Sequence, residues 1–384
     1  MVNKHYKIAH LVCTYPPYRG GMGKVAMEDS LQLVKRGYDV TVLTPKYKYL
    51  NTLSKHEEKK GVKIVRLLPL LEIGNAAILP QLFLILRKYD LVHVHFPFYG
   101  TGLFIFLAKI IWRKKLIIHY HMDNYASGLK DLIFRVYRFL FLPQLIKVAD
   151  KIVVHSRDYA FNCQAAWWFK HYQDKIVAIP NGVDTKYYQP QNDLDKKINA
   201  RRKEILFVGA LDDAHYFKGV EVLLKALASI QYKDWKLNII GNGNLVEYYQ
   251  ELVHILRLDD QVFFVHNCSD QDLVKYYSRA YVTVLPSTTM GEAFGIVLVE
   301  SMACQTTVIT SNLPGVRTVV DDDINGLLAS PNNIESLRTK LDYLLANPDI
   351  AARFSRAGYQ KVKQKYDWQS IGDQLEKLYE DLFN

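Results

Sequence analysis

The sequence predicts an α/β protein built from two doubly wound domains, and three observations carry that expectation. Short apolar runs alternate with stretches of helical spacing along nearly all of the 384 residues. Alternation of that kind gives parallel sheets covered by helices on both faces. The series occurs twice, before and after residue 181, and a chain of this length exceeds one comfortable core and suits two. Charge is divided in the same way. Residues 1–180 hold 27 Lys and Arg against 12 Asp and Glu, the remainder 22 against 27, so +15 and −5 sum to the net +10. Halves of opposite sign suggest domains with different partners.

The elements follow in order. Ile8 to Cys13 is an apolar run that stops at Pro16-Pro17. Helical spacing extends from Met22 to Arg36, Gly37 ends that helix, and Tyr38 to Thr44 reads as the next strand. Further strands are predicted at Val62 to Leu67, Leu91 to His95, Leu116 to His119, Ile152 to His155 and Ile176 to Ile179. The second half repeats the scheme at Ile205 to Val208, Leu237 to Ile240, Val262 to Val265, Val282 to Leu285 and Thr307 to Ile309. Turn chemistry at Asn181, followed by the polar stretch Gln189 to Lys203, marks the boundary. The last helix, Trp368 to Phe383, carries one apolar stripe: Ile371, Leu375, Leu378 and Leu382. The predicted domains are 1–180, 181–365 and a terminal helix 366–384. In doubly wound folds the ligand lies at strand carboxyl ends, here in a cleft between the domains.

Composition narrows the class. A hydrophobic content of 49% with 23% charged residues is that of a soluble globular protein. Cys13, Cys163, Cys268 and Cys304 are far apart and form no CxxC pair, as expected of free thiols in a reducing cytosol. Lys4 and Lys7 precede only a short apolar run, so no signal peptide is expected. No run reaches the ~20 apolar residues of a bilayer span. Asp321-Asp322-Asp323 reads as a solvated turn, and no His, Asp or Glu cluster has metal-ligand spacing, so no metal site is expected.

The chemistry concentrates in Gly291-Glu292-Ala293-Phe294-Gly295-Ile296-Val297-Leu298-Val299-Glu300-Ser301-Met302-Ala303. Ile296 to Ala303 reads as a short buried helix entered through Phe294-Gly295. Glu292 then lies before its N-terminus and Glu300 little more than a turn along it. Free N–H groups at such a terminus attract phosphate, and carboxylates beside it accept hydrogen bonds from sugar or ribose hydroxyls. An amphipathic core helix with a solvated Glu at each end fits the spacing equally well.

The segment resembles the Glu-x7-Glu motif of retaining glycosyltransferases with the GT-B fold, in particular glycosyltransferase family 4. Around it, Val284-Leu285-Pro286-Ser287, Pro314-Gly315 and Asn325-Gly326-Leu327-Leu328 extend the likeness. Further upstream, Tyr15 to Gly23 resembles the family's N-terminal glycine loop, and Asp90 to His95 with His119 to Asp123 its later N-domain strands. Ile179-Pro180-Asn181-Gly182-Val183-Asp184 is similar to its interdomain passage. The order and spacing of these patterns cover nearly the whole chain. The resemblance implies two Rossmann-like domains with a deep interdomain cleft, an acceptor domain followed by a nucleotide-sugar domain, and a C-terminal helix crossing back to the first. It implies a hexosyl transfer from a nucleotide diphosphate sugar to a glycan or lipid-linked hydroxyl, with no cofactor.

Roles follow from the resemblance. Glu300 is the ribose ligand and Glu292 holds hydroxyls of the transferred sugar. Phe294, Gly295 and Ile296 supply N–H groups, and Lys218 neutralises the leaving diphosphate in place of a metal. Gly20, Gly21 and Gly23 form the phosphate or acceptor loop. Gly209, Gly243 and Cys268 line the nucleotide pocket. One departure stands out: Ala210 occupies a position where the family usually has Arg, a bidentate phosphate donor that a lysine does not replicate. His215, Arg19 and Lys24 are candidate phosphate helpers. Among the histidines, His93 with His95 and His119 with His121 alternate on apolar strands. His121 matches the residue that faces the donor sugar, with Asp123 a secondary candidate.

The segments Phe96 to Trp112 and Leu129 to Val148 mix aromatic and aliphatic residues with Lys109, Arg113, Lys114, Lys115, Lys130, Arg135, Arg138 and Lys147. They suit contact with an anionic membrane surface, or else form core helices with polar edges. A cytoplasmic protein, peripheral on the inner face of the membrane, is the resulting expectation. Two alternatives stay open: a non-catalytic sugar-nucleotide binder and a basic nucleic-acid-binding protein, although no nucleic-acid module is present.

Overall fold

The computed structural model describes residues 6–18, 20–48, 52–124 and 128–384. The chain divides into two compact units, Met1–Asn181 with Trp368–Asn384, and Gly182–Asp367. Asn181 thus ends the first unit, and the return to it begins at Trp368.

The first unit is built on an eight-stranded sheet. Its order is Ile176–Ala178, Lys151–Val154, Lys115–Tyr120, Leu91–Phe96, Lys7–Leu11, Asp39–Pro45, Val62–Leu67 and His56–Lys59. All neighbours are parallel except the edge strand His56–Lys59. Sequence order reverses between Lys7–Leu11 and Leu91–Phe96, which pair with His10 opposite His93. That reversal is the switch point at which open α/β sheets place ligands.

The helix Trp368–Phe383 lies on the helix Gly21–Lys35 of the same unit. Ile371, Leu375, Leu378 and Leu382 are all buried, as the stripe predicts. Each such side chain contributes roughly 1.5–3 kcal/mol by leaving water. Arg36 fixes the polar edge: its Nη2 donates to the Gln369 carbonyl at 2.8 Å, and the guanidinium pairs with Asp373 and, at 3.4 Å, with Glu376.

The second unit holds six parallel strands in the order Val262–Val265, Trp235–Ile240, Lys203–Val208, Val282–Leu285, Thr307–Ser311 and Leu327–Ala329. Alternation sorts the side chains onto two faces. Ile205 and Phe207 enter one core with Leu237 and Ile239, while Leu206 enters the other with Ile240 and Leu285. The order again reverses at the first strand, between Lys203–Val208 and Val282–Leu285.

Four short strands lie outside the predicted set. His56–Lys59 is wholly exposed and has no apolar face to signal it. Leu71–Ile73 and Ala76–Ile78 form a small hairpin, and Leu327–Ala329 closes the second sheet.

Candidate active site

In the second unit the strand carboxyl ends are lined by backbone. The loop after Lys203–Val208 runs through Gly209 into a short helical stretch, Asp213–Lys218. A side chain at Gly209 would collide with Lys218, since a Cβ there would lie 2.6 Å from the lysine Cδ. The glycine therefore lets the lysine stem lie flat across the strand end. Lys218 Nζ reaches Glu292 at 2.7 Å, with both side chains largely buried. The other Glu292 oxygen accepts the Gly295 N–H at 3.1 Å. Gly295, with φ of 81°, turns the chain into the helix Ile296–Ala303, which spans the predicted residues. A β-branched side chain would be strained in that left-handed conformation. Gly295 thus sets Glu292 and the open helix terminus side by side.

The two loops that carry the pair are joined. The Thr288 N–H donates to the Phe217 carbonyl at 2.7 Å, and a Cβ on Gly291 would press on the Phe217 ring. Glu300 is 4% exposed and accepts the Tyr277 hydroxyl at 3.0 Å. It is an oriented carboxylate of the interior rather than a solvated helix end. Gly241-Asn242-Gly243 meets the next loop, where His266 Nδ1 contacts the Gly241 carbonyl at 3.0 Å and the Asn267 N–H reaches Asn242 at 3.3 Å. Cys268 is half-buried beside Ser269, which caps the following helix.

His215 lies in the short helical stretch that leads to Lys218. Its Nδ1 is 2.7 Å from Asp212, the residue that caps its own loop, so a carboxylate already occupies that nitrogen. Lys24 is exposed on the first turn of Gly21–Lys35, and Gly20 and Gly21 are exposed at that helix's start. Gly23 is buried, where a Cβ would sit 2.7 Å from the Thr14 carbonyl. Arg19 lies outside the described residues.

In the first unit the strand carboxyl ends carry side chains. Strand alternation and register put His10, His93, His95, His119, His121 and His155 together, and all six are buried. Their rings form a linked series. His121 Nε2 lies 2.8 Å from His95 Nδ1, His95 Nε2 lies 2.9 Å from His10 Nδ1, and His10 Nε2 lies 3.1 Å from the Tyr379 hydroxyl. That hydroxyl also meets His93 Nδ1 at 2.5 Å. Burial, aided by His119, lowers His10 to about 3, and burial lowers His119 to about 3. Burial first, then neighbouring imidazoles, holds His93, His95, His121 and His155 well below the usual range. The cluster is neutral at physiological pH. Asp123 is also buried, and its oxygens accept the Tyr120 hydroxyl at 2.7 Å and the Gln164 N–H at 3.0 Å. These hydrogen bonds close the loop that carries it.

Sequence reasoning did not single out Tyr277, Phe217, His10, Asp29 or Tyr379. Two His-x-His pairs in the same phase on neighbouring strands were the available signal for the cluster.

Two parallel, doubly wound units and a terminal helix returned to the first define the GT-B class. The fold matches a sucrose-phosphate synthase from Thermosynechococcus elongatus with a TM-score of 0.81, 24% identity and 99% of each chain covered. Residues 19–187 match the model of Glycosyltransferase Family 4, and residues 189–361 that of Glycosyl transferases group 1. The chain is 27% identical to an uncharacterised glycosyltransferase of Methanocaldococcus jannaschii over 97% of both. It is 29% identical to a phosphatidyl-myo-inositol mannosyltransferase of Mycobacterium tuberculosis, over 76% of this chain and 74% of that one. The chain belongs to glycosyltransferase family 4 and is a glycosyltransferase.

Proposed function

We propose that the protein moves a hexose from a nucleotide diphosphate sugar to a hydroxyl of a glycan or lipid-linked acceptor, with retention and without a metal at the diphosphate. The observation that carries this reading is the Lys218–Glu292 pair at the mouth of the helix Ile296–Ala303. The pair holds a cation and a carboxylate together at a helix N-terminus, as diphosphate and sugar hydroxyls require. Glu300 takes the ribose and Glu292 the sugar hydroxyls. Lys218 and the N–H groups of Phe294, Gly295 and Ile296 take the developing phosphate charge. Gly243 and Cys268 line the base pocket. Gly20 and Gly21 approach phosphate or acceptor, and His121 positions the sugar.

The bond from the anomeric carbon to the phosphate oxygen breaks, and one to the acceptor oxygen forms on the same face. The acceptor proton passes to the departing phosphate oxygen. Lys218, laid over Gly209, supplies the positive charge that Ala210 does not. A screen of UDP-, GDP- and ADP-sugars for thermal stabilisation identifies the donor, and NMR of the product gives its anomeric configuration. Inversion, or stabilisation without turnover, would overturn the reading.

The acceptor is proposed to lie at an anionic membrane on the cytoplasmic side. Among the described residues no helix is long and apolar enough to cross a membrane. Yet Leu84, Leu103, Ile110, Ile111, Leu132 and Phe139 of the first unit are between 46% and 79% exposed. Exposed Arg87, Lys88, Arg113 and Lys147 belong to the same helices or their ends, and exposed Lys115 opens the strand that follows one of them. Lys109 does not join them, since it is drawn in to Asp150 at 2.6 Å. Apolar side chains ringed by cations suit a lipid surface with anionic headgroups. Co-sedimentation should show binding to anionic vesicles that weakens with salt, and Phe139→Asp should reduce it. Equal binding to neutral vesicles would remove the anionic headgroups from the proposal, and no binding to either would favour a soluble acceptor.

A further inference from the structure

His119 and Asp29 face each other in the histidine cluster without a hydrogen bond between them. His119 is 2% exposed, yet neither of its ring nitrogens has a hydrogen-bond partner. Asp29, from the helix Gly21–Lys35, is 1% exposed, and its Oδ2 also lacks one. The two face each other at 3.6 Å, His119 Nδ1 to Asp29 Oδ2. Buried polar groups are nearly always satisfied, so two adjacent exceptions call for a ligand. Beside them, one ring nitrogen each of His95, His119 and His121 lies within 4.8 Å of the others.

We propose that His95, His119 and His121 bind one divalent cation of the zinc class, with Asp29 orienting His119 from outside. Neutral imidazoles are ligands of choice for zinc, cobalt and nickel. A zinc–nitrogen bond of about 2.0–2.1 Å in tetrahedral geometry separates two ligand nitrogens by roughly 3.3 Å. The 2.8 Å contact between His95 and His121 then opens slightly, and the wider nitrogens close in. A carboxylate behind a ligating histidine is the usual outer support of such sites, and Asp29 stands in that place. It also brings negative charge towards a buried dication.

The remaining hydrogen bonds fit the same assignment. If His95 Nδ1 and His121 Nε2 give their lone pairs to the ion, His95 carries its proton on Nε2 and donates to His10 Nδ1. His10 Nε2–H then donates to the Tyr379 hydroxyl, which donates to His93 Nδ1. Every link in the series has one donor and one acceptor. No step of this inference rests on the glycosyl-transfer roles, since the ion lies among the first unit's histidines and not at the diphosphate loops.

The test uses untagged full-length protein stripped by a strong chelator. Calorimetric titration with Zn²⁺ should give one equivalent per chain and raise the Tm, and Co²⁺ should give the visible absorption of tetrahedral nitrogen ligation. His119→Phe, which fills the volume but cannot ligate, should abolish that equivalent. Asp29→Asn should weaken it by about 10–100-fold. Replacing the exposed His171 or His254 by Gln should change nothing. Absence of stoichiometric binding in the wild type, or its persistence in His119→Phe, would overturn the proposal. Should His119→Phe fail to fold, X-ray absorption of the wild-type zinc complex decides: three imidazole scatterers support the site, and fewer overturn it.

Discussion

The two units meet the same topological problem with opposite materials. At the strand ends of the second, the lining is glycine and backbone, with one cation held on one carboxylate. At those of the first, six imidazoles fill a single face. The second unit has only three histidines, His215, His254 and His266, and none is buried. The difference tracks what each end must do. Backbone N–H groups and a lysine can stabilise developing negative charge, whereas neutral imidazoles accept or donate one proton apiece without carrying charge.

Acid should separate the units most strongly. The folded-state values of His10 and His119 are about 3, below the ~6.5 of an unfolded chain. Between these values the unfolded chain binds more protons, so stability is full above about pH 6.5 and is lost as pH falls towards 3. Each histidine contributes up to ~1.4 kcal/mol per pH unit. Asp29, raised by burial, acts in the opposite sense, but it is one group against several. In chelator-treated protein, hydrogen exchange at falling pH should therefore expose peptides of the first unit before those of the second. Simultaneous opening of both would remove the histidines from the account of stability.

Activity should divide along the same line. Lys218→Ala removes a preorganised charge, and kcat should drop ~10²–10³-fold with every donor sugar. Its pairing with Glu292 makes Lys218→Ala/Glu292→Gln the control, because the single variant strands a carboxylate. His121→Ala should lower kcat by about 10²-fold while nucleotide affinity, which the proposed function assigns to the other unit, barely moves. Full turnover in either folded variant would end its assigned role. Equal loss of nucleotide binding in both would erase the division of labour.

The same contrast explains what was legible in the sequence. The helices Ile296–Ala303 and Trp368–Phe383 and the strands Val62–Leu67, Val262–Val265 and Val282–Leu285 are contiguous apolar or periodic runs, and the chain announces them. The second unit's site is local: Lys218 and Glu292 sit in short loops whose glycines mark them. The histidine cluster is not local. The phase of His93 with His95, and of His119 with His121, can be read along each strand, but the register that puts His10 opposite His93 and His95 opposite His119 cannot. Tyr379 reaches the cluster from a helix near the end of the chain. Ala210 shows the reverse limit, since the missing Arg is visible in the sequence while the flat seat of Lys218 over Gly209 is not.

The smallest expected effect probes the one place where the second unit also relies on a buried side chain. Glu300 is 4% exposed and hydrogen-bonded to the Tyr277 hydroxyl, so its position is fixed before a nucleotide arrives. Glu300→Gln keeps the volume and leaves a carbonyl oxygen able to accept from Tyr277. It loses the second oxygen through which a carboxylate receives two ribose hydroxyls. One lost partner costs ~1–3 kcal/mol, which should weaken calorimetric binding of the free nucleoside diphosphate by roughly 5–150-fold with little change in Tm. Tyr277→Phe should act oppositely, lowering the Tm by removing a buried hydrogen bond of the carboxylate while weakening nucleotide only as far as Glu300 loses its orientation. If Glu300→Gln binds nucleotide as tightly as the wild type, the ribose lies elsewhere. The buried carboxylate is then a packing group, and the second unit's site is made of loops alone.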